Sequence, residues 1–156
     1  MKRWLAIAAC AAACASCGRT VDVSSGLTVQ VLATGWQPAA GVSGKNKLVP
    51  SASVKVTNVS DTTLPAVQVN AVFHRLGEGG EWGTAYVTAV GSSGLTPGGD
   101  ATVTLNSELG YTGEDPQEAM LKNRQFVDVT VDVFAKYGSH QWTRVAAFPI
   151  DRHLLK

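Results

Sequence analysis

The stretch from Phe126 to Gly138, FVDVTVDVFAKYG, sets Val127, Val129, Val131 and Val133 against Asp128, Thr130 and Asp132. A period of two with β-branched residues on the apolar side is the pattern of a half-buried strand, because successive side chains of a strand point to opposite faces. The same alternation recurs. GLTVQVLATGW puts Leu27, Val29 and Val31 opposite Thr28 and Gln30, and SASVKVTNV puts Ala52, Val54 and Val56 opposite Ser53, Lys55 and Thr57. AVQVNAVFHRL puts Val67, Val69, Ala71 and Phe73 opposite Gln68, Asn70 and His74, and DATVTLN puts Ala101, Val103 and Leu105 opposite Thr102 and Thr104. Two less regular strands are expected at Trp82 to Val90 and Gln141 to Ile150. Gly, Pro, Asn, Asp and Ser cluster between these runs, as turns require, and GEGGEWG and KYGSHQW read as hairpin connections.

One segment departs from the pattern. EDPQEAMLKNRQF predicts a short helix with Asp115 as N-cap, Pro116 at the first helical position and Glu118 completing a capping box. Ala119, Met120 and Leu121 are expected to pack inward, with Lys122 and Arg124 at the negative end of the helix dipole. So short a helix does not stand alone, and a crossover between strands is its natural place. About seven short strands plus one crossover helix predict an all-β, immunoglobulin-like antiparallel β-sandwich over residues 26–156.

Ahead of that body, Lys2 and Arg3 precede an uncharged, Ala-rich run from Trp4 to Ala15, the layout of an export signal. The run is well short of the roughly 20 apolar residues that span a bilayer. All three cysteines, Cys10, Cys14 and Cys17, fall in ACAAACASCGR. Zinc sites draw on two separated pairs or on histidines at fixed spacing, and neither is present here. A redox C-x-x-C belongs at a helix N-terminus rather than in a leader.

The stretch resembles the lipobox of bacterial lipoproteins, in which small residues precede a cysteine that is acylated and becomes the mature N-terminus. Cys17 fits best, after Ala15 and Ser16 and before Gly18, although Cys14 stands where that family usually has an aliphatic residue. Cys14 is the alternative acylation site, and ordinary cleavage after Ala15 is a third reading. The resemblance implies a signal peptide over residues 1–16, a flexible tether over 17–25 and multiple acylation of the anchor. It also implies a place in the cell envelope, with Gly18 favouring the outer membrane, facing the periplasm. Loss of Lys2 and Arg3 takes Lys+Arg from 13 to 11 against 12 Asp+Glu, a formal charge of −1. A near-neutral domain without a basic run gives no electrostatic reason to bind nucleic acid.

Farther on, VKVTNVSDTTLPAVQVNAVF followed by GLTPGGDATVTL resembles small extracytoplasmic immunoglobulin-like modules, including the FxLYD type. An Asn-x-Ser turn and a Leu-x-Pro-Gly turn carry the likeness, which covers roughly Ser53 to Leu105. The F-x-L-Y-D string itself is absent, so the resemblance implies architecture and no functional residue.

Reactive constellations are scarce. His74, His140 and His153 share no ligand spacing, and no cofactor is expected. Asp128 and Asp132 lie four strand residues apart, roughly 13 Å, beyond the roughly 5–9.5 Å of glycosidase pairs. Asn58 in NVS reads as a turn residue. Trp36, Trp82 and Trp142 fall at strand ends, where they either cap the core or project from it. The expectation is therefore a non-enzymatic, lipid-anchored protein whose domain contacts another envelope protein. The alternative is a glycan- or peptidoglycan-binding module using Trp82 and Trp142 with neighbouring Tyr86 or Tyr137.

Overall fold

A computed structural model describes residues 20–156; the leader, the cysteines and Cys17 as the acylation site lie outside that range. Its strands are β1 (Leu27–Ala39), β2 (Asn46–Asn58), β3 (Val67–Arg75), β4 (Gly83–Thr88), β5 (Asp100–Asn106), β6 (Tyr111–Gly113), β7 (Val129–Tyr137) and β8 (Thr143–Pro149). A four-residue turn of helix, α1 (Val23–Gly26), precedes β1, and α2 (Gln117–Lys122) links β6 to β7. No helix among the described residues is long and apolar enough to cross a membrane.

The strands form two antiparallel sheets. One runs β1-β2-β5, with the short β6 also pairing to β2 beyond the end of β5. The other runs β4-β3-β7-β8. The chain changes sheet between β2 and β3, between β4 and β5, and again through α2, so the sandwich is immunoglobulin-like with the expected crossover helix. The inward valines drive this arrangement. Val54 and Val56 of β2, Val67 and Val69 of β3, Val103 of β5, and Val129, Val131 and Val133 of β7 all enter one core. Each such side chain contributes about 1.5–3 kcal/mol on burial.

Four local expectations are corrected. Val127 lies outside β7 and is half-buried, while Phe126 takes the inward place at the mouth of the strand. Asp115 does not cap α2; Pro116 is the N-cap, and it offers no side-chain hydrogen bond. Met120 and Leu121 pack inward but Ala119 is exposed, because a six-residue helix can turn only one narrow stripe to the core. The stretch expected as a flexible tether is docked from Val21 onward. The Val21 amide donates to the Tyr137 hydroxyl at 2.9 Å, and that hydroxyl donates back to the Val21 carbonyl at 2.6 Å. Val23 is buried in the core, and Asp22 caps α1.

β1 is also longer than its alternation indicated, for a definite reason. The register with β2 shifts between Val31 and Ala33, so Leu32 is an extra residue. A bulge of this kind reverses which parity faces inward. Leu27 faces the core before it, and Thr34 and Trp36 after it. The C-terminal tail then covers the upper part of this edge strand. Trp36 donates its amide to the His153 carbonyl, and Leu155 donates to the Trp36 carbonyl. Gly35 makes the approach possible, since a Cβ there would lie 2.8 Å from Leu155 Cγ and 3.0 Å from the His153 oxygen.

Candidate interaction surfaces

The antiparallel order fixes two ends. The chain enters at the end holding α1, the β2–β3 and β4–β5 connections and the β7–β8 hairpin. The opposite end holds the β1–β2 loop, the β3–β4 turn and the β5–β6–α2 connection.

The near end is locked by a buried polar hub. Asn58 donates its amide to the carbonyls of Thr62 and Leu95, both at 2.8 Å, and its Oδ1 accepts from the amide and hydroxyl of Ser60. The Asn58 backbone joins the same knot, donating to Gly99 and accepting from Gly98. The Asn-x-Ser turn and the Leu95-Thr96-Pro97-Gly98 turn are thereby bonded to each other. Asn58 is fully buried, with its carboxamide committed to these bonds.

The tryptophans divide into two groups. Trp36 is buried and central to a cluster at the far end, 4.6 Å from Phe126, 5.6 Å from Tyr111 and 6.4 Å from Trp82, centroid to centroid. Trp82, one of the three candidate ligand residues, is half-buried here, 5.1 Å from Tyr111. Two arginines close the cluster. The Arg75 guanidinium lies 5.8 Å from the Trp82 ring and 5.5 Å from that of Tyr111 while pairing with Glu78 at 2.9 Å. Arg152 lies 5.0 Å from Phe126 and pairs with Asp128 at 2.7 Å. These contacts stack cations on ring faces at a protein edge, where each is worth about 0.5–1 kcal/mol.

Tyr86 and Trp142, the other two candidates, meet on the outer face of the β4-β3-β7-β8 sheet. Tyr86, Asn70, Phe134 and Arg144 stand side by side across β4, β3, β7 and β8. Trp142, just before β8, brings its ring edge-on to Tyr86 at 6.1 Å, and the Lys136 ammonium lies 5.1 Å from the indole centroid. Tyr86 is 57% exposed and Trp142 39%. Tyr137, by contrast, is buried and committed to Val21.

Most of the polar candidates are occupied with neighbours, while the His153 side chain is exposed. Asp132 pairs with Arg144 at 2.6 Å and faces His74 Nε2 at 3.5 Å; His74 Nδ1 lies 2.9 Å from the Gly80 carbonyl. His140 lies against the Tyr137 ring at 4.1 Å. Among the described residues, no three His, Cys, Asp or Glu side chains converge.

The far end carries what sequence reasoning missed. Val42 in the β1–β2 loop is 74% exposed, Leu76 in the β3–β4 turn 62% and Leu109 in the β5–β6 connection 48%. Beside them a groove of about 270 Å³ is lined by Tyr111, Met120 and Phe126 with the polar Thr112, Asp115, Asn123 and Gln125. Isolated apolar residues in turns carry no periodic signal. Only the folding of three separate connections to one end makes them a group.

No protein-family model matches the chain, and no curated protein matches it. Among solved structures it is similar to the X-ray structure of a Northeast Structural Genomics Consortium target. The two share 11% sequence identity at a TM-score of 0.46, over 83% of this chain and 89% of that one.

Proposed function

We propose that this is a non-enzymatic envelope lipoprotein, anchored through acylated Cys17, whose immunoglobulin-like domain binds another envelope protein with the end remote from the anchor. The lipobox resemblance carries the anchor and its place at the outer membrane, facing the periplasm. The partner-binding role rests on one observation: Val42, Leu76 and Leu109, on three different connections, expose apolar side chains at the same end of the sandwich. Loop ends of such sandwiches are rigidly presented, and exposed apolar side chains grouped there favour a protein contact. The flanking groove adds aromatic and polar groups of the kind that fix a partner's orientation.

The glycan-binding reading draws on Trp82, Trp142 and Tyr86 acting on one ligand. Trp82 belongs to the far-end cluster and the other two to a sheet face, so that reading now rests on Tyr86 and Trp142 alone.

The test is co-purification from detergent-solubilised envelope with wild type and a Leu76→Asp/Leu109→Asp double variant. Wild type is expected to bring down a defined protein in constant ratio, and the variant to lose it while keeping its melting temperature and membrane fraction. Equal recovery of the same protein by both would contradict the assignment of the binding end.

A further inference from the structure

The exposed aromatic pair has a position as well as a chemistry. Val21 is fixed to the Tyr137 hydroxyl at the last residue of β7. His140 packs on that same tyrosine ring, and Trp142 follows two residues later in the same hairpin. The point where the chain enters the body and the exposed indole are thus joined through one short, rigid hairpin. Cys17 lies four residues before Val21, a reach of at most about 14 Å when extended. A body held that closely by acyl chains keeps its near end at the lipid surface.

We infer that Trp142, Tyr86 and Lys136 form a membrane-contacting patch, which sets the near-end corner of the outer face of the β4-β3-β7-β8 sheet against the lipid headgroups and leaves the far end raised from them. The inference rests on the lipid-anchored reading above and adds a second contact to it. Tryptophan and tyrosine have the amphipathic rings that settle at the headgroup level, with an apolar body and one polar tip. Lys136 supplies a cation beside them. Among the described residues it makes no salt bridge, and its methylene stem can lie along the indole while the ammonium reaches a phosphate.

The rest of the sheet face fits the same orientation. Arg144 adds a second cation in the next row, and Asp132, the acid beside it, is already paired with it. The acids Glu78 and Glu81 sit in the β3–β4 turn at the far end, away from the surface. A lipid surface is the occupant to which the patch is assigned, because the short leash holds the near end at the bilayer; the exposed acids of that end, Asp22, Asp61 and Asp100, stand on other elements than the patch. A glycan strand is the competing occupant that the test must separate.

The experiment uses the full chain, processed in cells and reconstituted into phosphatidylethanolamine/phosphatidylglycerol vesicles, with and without bromine on the acyl chains. Flotation of the protein and the mass of its N-terminal peptide report the anchor. Bromine quenching of tryptophan fluorescence reports the patch. The expected result is quenching in wild type and in Trp82→Phe, and loss of most of it in Trp142→Phe, with far-ultraviolet circular dichroism showing all three folded. Floating, acylated protein with no quenching, or with quenching that survives Trp142→Phe, overturns the patch and leaves the anchor standing. So does a Trp142 response to soluble peptidoglycan fragments without any response to brominated lipid. Protein that fails to float and carries an unmodified Cys17 overturns the anchored reading, and the patch with it.

Discussion

Trp36 and Trp142 both sit near the ends of strands, yet one is 1% exposed and the other lies open on a sheet face. Trp36 reaches the core because the extra residue at Leu32 reverses the inward parity of β1 halfway along. Trp142 precedes β8 on the outward parity of Arg144 and stays 39% exposed on that face. The same residue type thus does two jobs, and backbone register decides which. Trp36 is a structural plug closed by Tyr111, Phe126, Trp82 and two arginines; Trp142 is a surface group.

The contrast can be broken most forcefully at the plug. Trp36→Ala removes a buried aromatic with three ring neighbours and is expected to destabilise the domain by about 3–5 kcal/mol, read as a shifted urea midpoint. Stability within about 0.5 kcal/mol of wild type would show that the far-end cluster is not a packed core.

Next comes the polar lock at the other end. Asn58→Ala removes one of the two hydrogen bonds to each of the Thr62 and Leu95 carbonyls, together with both bonds to Ser60, and loosens the two turns at a cost of roughly 3 kcal/mol. Hydrogen exchange should rise first at Leu64 and Leu95, whose backbones bridge those turns. Unchanged protection there would mean that the hub is decorative.

On the open face the expected effect on stability is small. Trp142→Ala and Tyr86→Ala should each stay within about 0.5 kcal/mol of wild type, since neither belongs to the core cluster. A loss of several kcal/mol from either would erase the distinction between plug and surface group.

The smallest effect is at α1. Hydrogen bonds from the Ser24 side chain, and then from its backbone amide, hold the Asp22 carboxyl below its ordinary value of 3.8. A carboxyl whose folded value is depressed adds stability that is present above the ordinary value and lost as pH falls through the lowered one. Acidification through that window should lower the protection factor of the Ser24 amide, taken against its intrinsic exchange rate at each pH. Asp22→Ala should remove that protection throughout and flatten its response to acidification; a response like that of wild type would show that the carboxylate is not the cap.

How much of this was legible follows from the same physics. The strands of β2, β3, β5 and β7 could be read directly, because in each the buried face alternates residue by residue over most of its length. β1 could be read only to its bulge, since one inserted residue leaves no mark in composition. β6 was missed: three residues, Tyr111 to Gly113, are too few to alternate, and their strand character comes from pairing with Asn46, Lys47 and Leu48. Trp82 and Trp142 stand out in the sequence as aromatics near strand ends, with Tyr86 as their neighbour. What separates Trp82 from the other two is the end and the face of the one sheet on which each lies, a tertiary fact. Val42, Leu76 and Leu109 carried no signal at all until their three connections converged.

The central claim is a domain held at two ends by different things: lipid at the near face, protein at the far loops. It is tested most directly by placing a photoreactive residue at Leu109 in one chain and at Trp142 in another, with irradiation of intact cells. The expected result is one discrete protein adduct from Leu109, and acyl-lipid adducts without that protein from Trp142. The same protein adduct from Trp142, with none from Leu109, would contradict it.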